Sequence, residues 1–161
     1  MALNAYLSLT GKVQGPIKGS VTQKGREGTI KVFASTHQVT SPRDTASGMA
    51  SGKRQHSPFS IWKEVNTATP RLYNAMVKAE PMTKWELRFF RPGTAGVEMQ
   101  HYTVRLTNAT VSRIHFDQPT TRDPDQVSLL EYEEVSFTYT GIEWEWTDGG
   151  ITATDSWSKT A

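Results

Sequence analysis

Residues 131–146 read EYEEVSFTYTGIEWEW, and their apolar side chains fall on every second position. Val135, Phe137 and Tyr139 share one face of an extended chain, with Glu134, Ser136 and Thr138 on the other. After Thr140 and Gly141 the phase shifts by one residue, and Ile142, Trp144 and Trp146 carry the alternation on. A one-residue slip would turn those rings to the wet face unless a bulge or bend at Gly141 restores them. The stretch is expected to be one long, bent strand shared by both halves of a barrel or sandwich, with both tryptophans on its dry face.

The same period recurs along the chain. Leu3, Ala5, Leu7 and Leu9 mark a first strand, and residues 29–39 a second, with Ile30, Val32 and Ala34 on one face. Between them lies a Gly-, Gln- and Lys-rich loop with a short strand expected near Val21. Residues 59–65 form a short strand. Trp85, Leu87 and Phe89 mark another, and residues 98–116 a long one with a break near Asn108. A final strand at 151–157 pairs back after the turn Asp148-Gly149-Gly150. The period changes to that of a helix at about 67–80, where Leu72, Ala75, Met76 and Ala79 make one apolar stripe. Thr67 or Thr69 can cap it, Pro70 suits its first turn and Pro81 ends it. Residues 40–58 carry no period at all. They are polar, rich in Gly, Ser and Thr, and positively charged through Arg43, Lys53, Arg54 and His56. A loop of that length in a compact domain is usually either functional or disordered.

These elements predict a mainly β chain. It forms a compact antiparallel β-barrel, sandwich-like in its two sheets, with one flanking α-helix and a long extended loop, as a single domain over residues 1–161. Composition narrows the function. There is no cysteine, which removes disulfides, thiolate metal sites and cysteine nucleophiles. Mean hydropathy is -0.53 and no apolar run approaches a membrane span, so no membrane insertion is expected. The first residues lack the basic, apolar and cleavage-site order of a signal peptide.

The formal charge of +2 conceals a division. Residues 1–116 hold 16 of the 18 Lys and Arg but 6 of the 16 Asp and Glu. The remaining residues are correspondingly acidic, which disfavours nucleic-acid binding. Opposite charges in two parts of one chain are either neighbouring solvated faces or the two sides of a subunit contact.

Candidate chemistry is sparse. Glu143 and Glu145, between Trp144 and Trp146, resemble a glycosidase pair or a carbohydrate-binding site. The competing reading is a solvated face opposite a tryptophan core. The histidines His37, His56, His101 and His115 have no metal-ligand spacing, so no metal or other cofactor is expected. There is no G-x-S-x-G elbow. The G-R-E-G at 25–28 fits a nucleotide-clamping loop only in spacing, since a strand follows where a helix is needed. The long charged loop, the divided charge and the strong strands point to assembly rather than to turnover.

Several segments, taken in order, carry a family resemblance. They are A-Y-L-S-L-T-G-K-V-Q-G at 5–15, S-G-K-R-Q-H-S-P-F at 51–59, P-R-L-Y-N-A at 70–75 and H-Y-T-V-R-L-T-N-A-T at 101–110. The last two are E-E-V-S-F-T-Y-T-G-I-E-W-E-W at 133–146 and D-S-W at 155–157. With them the chain resembles, nearly end to end, the Hcp family, the haemolysin-coregulated proteins of the bacterial type VI secretion system. The resemblance implies a non-enzymatic tube subunit that assembles head-to-tail into hexameric rings. The rings would stack into a tube, work with spike, sheath and baseplate proteins, and hold small effectors in the lumen. Such a protein is cytoplasmic before firing and secreted afterwards. A ring needs contacts in which one patch meets a different patch. Arg43, Lys53, Arg54 and His56 are expected to supply one side, as charge-assisted hydrogen bonds to a neighbour's Asp123, Asp125 and Glu134.

Overall fold

A computed structural model describes residues 1–158. Every strand pairing in it is antiparallel. One sheet has the order β13-β12-β9-β8-β1-β2. Its strands are β1 (Ala5–Gly11), β2 (Gly15–Ile17), β8 (Met82–Pro92), β9 (Glu98–Thr107), β12 (Gly141–Trp146) and β13 (Ile151–Ser156), and β3 (Ile30–Val32) also pairs with β1. A second sheet runs β10-β11-β7-β4, from β4 (Ala34–Thr36), β7 (Phe59–Glu64), β10 (Thr110–Asp117) and β11 (Tyr132–Thr138). A two-strand ribbon, β5 (Val39–Thr40) with β6 (Gln55–His56), stands apart.

The chain passes between these sheets four times, once through the helical segment between β7 and β8 and three times by links of one or two residues. Phe33 joins β3 to β4, Asn108-Ala109 joins β9 to β10, and Tyr139-Thr140 joins β11 to β12. The phase shift at Gly141 is therefore a corner rather than a bulge, and the bent strand is two strands, one in each sheet. The break near Asn108 is a second corner, with Asn108 at φ 50°. Its carbonyl neighbour, Thr107, accepts the Thr140 N–H at 3.0 Å, which ties the two corners together. Residues 29–39 are not one strand either. Phe33 turns the chain, Ala34 is exposed, and the alternation continues through the corner by coincidence. The strand expected near Val21 lies instead at β2.

Between the sheets the core is dry and aromatic at its centre. Trp85 of β8 is buried and meets Phe59 of β7 and Phe137 of β11 edge-on, at 5.1 and 5.6 Å between ring centroids. Leu7, Ile30, Leu87, Ile61, Val135 and Leu72 are fully buried around them. Trp146 departs from expectation. It is 38% exposed, lies against His101 and has the Arg91 guanidinium 5.3 Å from its ring centre, so only Trp144 of the pair packs against the core.

The helix α1 (Thr69–Val77) is shorter than the apolar stripe predicts. At its start neither threonine caps it. Asn66 accepts the Ala68 N–H with its side chain instead, and the Thr69 hydroxyl accepts the Asn66 N–H while it donates to a buried ion pair. At its end the Ala79 N–H bonds to Met76 O and the Glu80 N–H to Ala75 O, at 3.2 and 2.8 Å. This is the two-bond helix stop that needs a left-handed residue, and here that residue is alanine at φ 51°. Ala79→Gly is expected to raise stability by about 1 kcal/mol, since the Cβ penalty of the left-handed region disappears. Chemical denaturation of the two proteins measures it. Just beyond, Glu80 accepts the backbone N–H groups of Val13 and Gln14 and the Gln14 side-chain amide, fixing the β1–β2 turn against the helix exit.

Candidate functional site

Residues 40–58 are an ordered hairpin arm rather than a loop. Its base is the β5–β6 ribbon, and Arg43 bridges Ala50 farther out. At the tip Asp44 organises the turn. Its carboxylate accepts the Ala46 N–H and the Ser47 hydroxyl, which lower its pKa, and its backbone carbonyl accepts the Gly48 N–H. Gly48 has φ 71°, which suits glycine at the turn. Met49 is 68% exposed there. Asp44 takes the place of an apolar anchor, and for that reason no hydrophobic period marks the arm.

The arm is fastened to the barrel at its root. Arg54 donates from Nε and Nη2 to the two oxygens of Asp155 on β13, at 2.8 and 2.9 Å. The paired guanidinium holds the Asp155 carboxyl far below the usual carboxylate range. The His56 side chain is fully buried, with Nε2 3.0 Å from Asp155 and Nδ1 2.8 Å from the Tyr139 hydroxyl. His37, on the other leg of the arm, places its Nε2 2.6 Å from the same hydroxyl. Its ring stacks on Phe59 at 5.1 Å, and that of His56 stacks on Trp157 at 5.8 Å. Burial raises the Tyr139 pKa, so the phenol keeps its proton. Burial, with a smaller effect from His56, lowers that of His37.

The residues expected to make contacts thus divide. Arg43 and Lys53 are exposed on the arm and enter no ion pair among the described residues. Arg54 and His56 are bound within their own chain. Glu134 pairs with Arg113 at 3.0 Å. Asp123 accepts the Asp125 N–H and the Gln126 amide within its own loop, and Asp125 is exposed. The charge division is in good part internal. Glu133, Glu134, Glu143, Glu145 and Asp155, from the acidic end of the chain, all meet Lys or Arg from the basic part. No motif or spacing in the sequence marks His37, Tyr139 and Asp155 as one site. Two of the segments that carry the family resemblance, 51–59 and 155–157, meet at this root.

Glu143 and Glu145 are both committed to one guanidinium. Arg105 of β9 donates to them at 2.7 and 2.5 Å and to Glu86 of β8 at 2.9 Å, which raises the Arg105 pKa. They sit on one strand of one sheet, not on facing walls of a cleft as a glycosidase pair does. Among the described residues no group of three His, Asp or Glu could hold a metal ion, and no helix is long and apolar enough to cross a membrane. Elsewhere, an apolar groove of about 530 Å³ is lined by Phe33, Trp62, Leu129, Leu130 and Tyr132, together with Lys31 and Glu64. Phe33, Leu129 and Leu130 are 45, 55 and 61% exposed.

The family model described as "Type VI secretion system effector, Hcp" matches residues 6–146. The chain belongs to the Hcp family. Major exported protein of Pseudomonas aeruginosa is 34% identical over 98% of this chain and 96% of its own length. Among solved structures, one described as Hcp protein superposes with a TM-score of 0.91 at 32% identity, covering 97% of this chain and 98% of the other. Hcp1 of Escherichia coli EAEC 042, as a double mutant, gives 0.84 at 30% identity, covering 96 and 99%. The two-sheet β fold with its single helix is the Hcp fold, and the chain is a type VI secretion protein.

Proposed function

We propose that the protein is a non-enzymatic subunit of the type VI inner tube. Subunits join head-to-tail into a hexameric ring, and rings stack. The tube works with spike, sheath and baseplate proteins, leaves the cytoplasm when the apparatus fires, and carries small effectors in its lumen. The observation that carries this reading is the arm. It is an ordered hairpin that projects an exposed methionine, Met49, and two cations that are unpaired among the described residues, Arg43 and Lys53, beyond the barrel. Ordering exposed backbone costs free energy that contacts within this chain do not return, and a neighbour's surface would. The apolar groove of Phe33, Leu129 and Leu130 is a second surface of different character, as head-to-tail assembly requires.

In this reading Arg43 and Lys53 reach acidic groups of a neighbour, Asp123, Asp125 and Glu134 among them. Arg54 and His56 act one step back, by fixing the arm that presents those cations. Native mass measurement tests the assembly. The expected particle has six times the 18.0 kDa of the protomer or a multiple of that. A monomer at micromolar concentration would sink the proposal.

A further inference from the structure

The root of the arm contains two histidines that share a single hydroxyl group. We propose that His37, Tyr139 and His56 form a proton-sensitive latch, closed at neutral pH and open in mild acid, that controls whether the arm is held in its projecting position. The latch itself rests on side-chain geometry. Its consequence for assembly rests on the reading of the arm given above.

Counting hydrogens sets the behaviour. Asp155 is a carboxylate, so His56 Nε2 must carry a proton to bond to it. In neutral His56 the other nitrogen, Nδ1, accepts the Tyr139 O–H. The Tyr139 oxygen then accepts from His37 Nε2–H. Every group is satisfied, and the bonds run in one direction from His37 through Tyr139 to His56. One added proton at His56 Nδ1 reverses that direction. His56 now donates to the Tyr139 oxygen, the phenol donates to His37 Nε2, whose own hydrogen has passed to Nδ1 through solvent, and the positive ring lies against Asp155. The network remains closed.

A second proton has no place. On His37 it would aim two N–H groups at one hydroxyl, whose own hydrogen would then lack an acceptor. Two cationic rings would face each other with centroids 6.4 Å apart. The charged surroundings give little relief. Asp155 is the carboxylate against this cluster, and Arg54 already occupies both its oxygens. Glu143 and Glu145 of β12 are turned to Arg105 on the opposite face of the strand from Trp144, which lies beside His37. Phe59 and Trp157, which stack on the two rings, are uncharged. The second proton therefore separates His37 from Tyr139 and frees one leg of the arm.

The sign follows from His37, whose pKa is lowered by burial in the closed form. A depressed folded pKa means that closure is fully favoured above the ordinary histidine value of about 6.5, and is lost as pH falls through the lower folded value. At cytosolic pH the arm is presented to a neighbour, and in an acidic compartment it is released.

Amide exchange of residues 38–57 from about pH 8 to about pH 4.5, corrected for the chemical exchange rate, tests this on the intact protein. Protection of the β5–β6 ribbon and of Ser57, which donates to Gln38 O, is expected to fall about tenfold or more below pH ~6. Strands β8 and β9 should keep theirs. His37→Gln, which can donate to Tyr139 but cannot take up a proton, should remove the fall. Where that variant does not fold, ring-nitrogen shifts of the wild-type histidines decide. His37 should gain its proton over the same pH range in which the arm begins to exchange. The latch is wrong if protection is constant with pH, if wild type and His37→Gln lose it alike, or if β8 and β9 lose it together with the arm. Native mass on the same samples keeps the two proposals apart. A neutral-pH monomer whose arm still opens in acid overturns the ring and leaves the latch standing, and a hexamer with a pH-independent arm does the reverse.

Discussion

Replacing Glu133 with alanine lowers the unfolding free energy by about 3–5 kcal/mol, measured by chemical denaturation near neutral pH. Glu133 and Lys63 are both fully buried and face each other across β11 and β7, with Nζ 2.6 Å from Oε1. Thr69 completes the group. Its hydroxyl accepts from Lys63 and from the Asn66 N–H, each at 3.1 Å, and donates to Glu133 at 2.9 Å, which leaves no lone pair for an N–H of its own helix. Without Glu133 the ammonium keeps one neutral partner in a dry core, and the full desolvation cost falls on it.

Burial already pushes the Lys63 pKa down, with Glu133 opposing the shift. In Glu133→Ala that opposition is gone, so the unfolded chain binds more protons than the folded one over a wider range below the lysine value of about 10.4. Stability of the variant therefore rises with pH and recovers part of the loss in alkali. A double replacement by apolar residues of similar size, Lys63→Met with Glu133→Leu, should come back to within about 1–2 kcal/mol of wild type or exceed it. A single variant within about 0.5 kcal/mol of wild type would show that the pair carries no such load.

What the ion pair contributes is register. Glu133 lies opposite Lys63, and a two-residue slip of β11 on β7, which keeps every side chain on its face, would bury two unpaired charges. The parity of the sequence holds this clue, since Glu133 shares its phase with Val135 and Phe137 and so points inward. Ser136, on the face expected to be wet, is also buried and meets Ser60 at 2.7 Å.

Where the sequence was legible, period was the reason. The slip at Gly141 and the break at Asn108 are both visible as changes of phase, and both are corners between sheets. The corner at Phe33 changes no phase, so the alternation does not mark it. The helix end was misplaced because an alanine holds a position usually held by glycine. The arm has no period because its ladder rests on backbone bonds and one aspartate rather than on packing. Its root was illegible for a different cause. His37, His56, Tyr139 and Asp155 are far apart in sequence, and only the fold brings them together.

Deleting residues 46–53 is expected to leave the protomer folded and to weaken assembly at least about tenfold in concentration dependence, followed by light scattering. The deletion removes the arm's tip with Met49 and Lys53, and leaves Arg54, His56 and the root network in place. No core side chain lies in the deleted stretch, so far-UV circular dichroism and the denaturation midpoint should match wild type. Salt adds a second signature. Contacts made by exposed arginine and lysine weaken as the screening length falls from about 10 Å at 0.1 M to about 3 Å at 1 M. Wild-type particles should shrink or unstack over that range, while the deletion variant, having lost Lys53 and the tip turn that supports Arg43, should respond less. Rings and stacks that survive the deletion unchanged would mean that the arm does not join subunits. The ordering of its turn by Asp44 would then need another explanation.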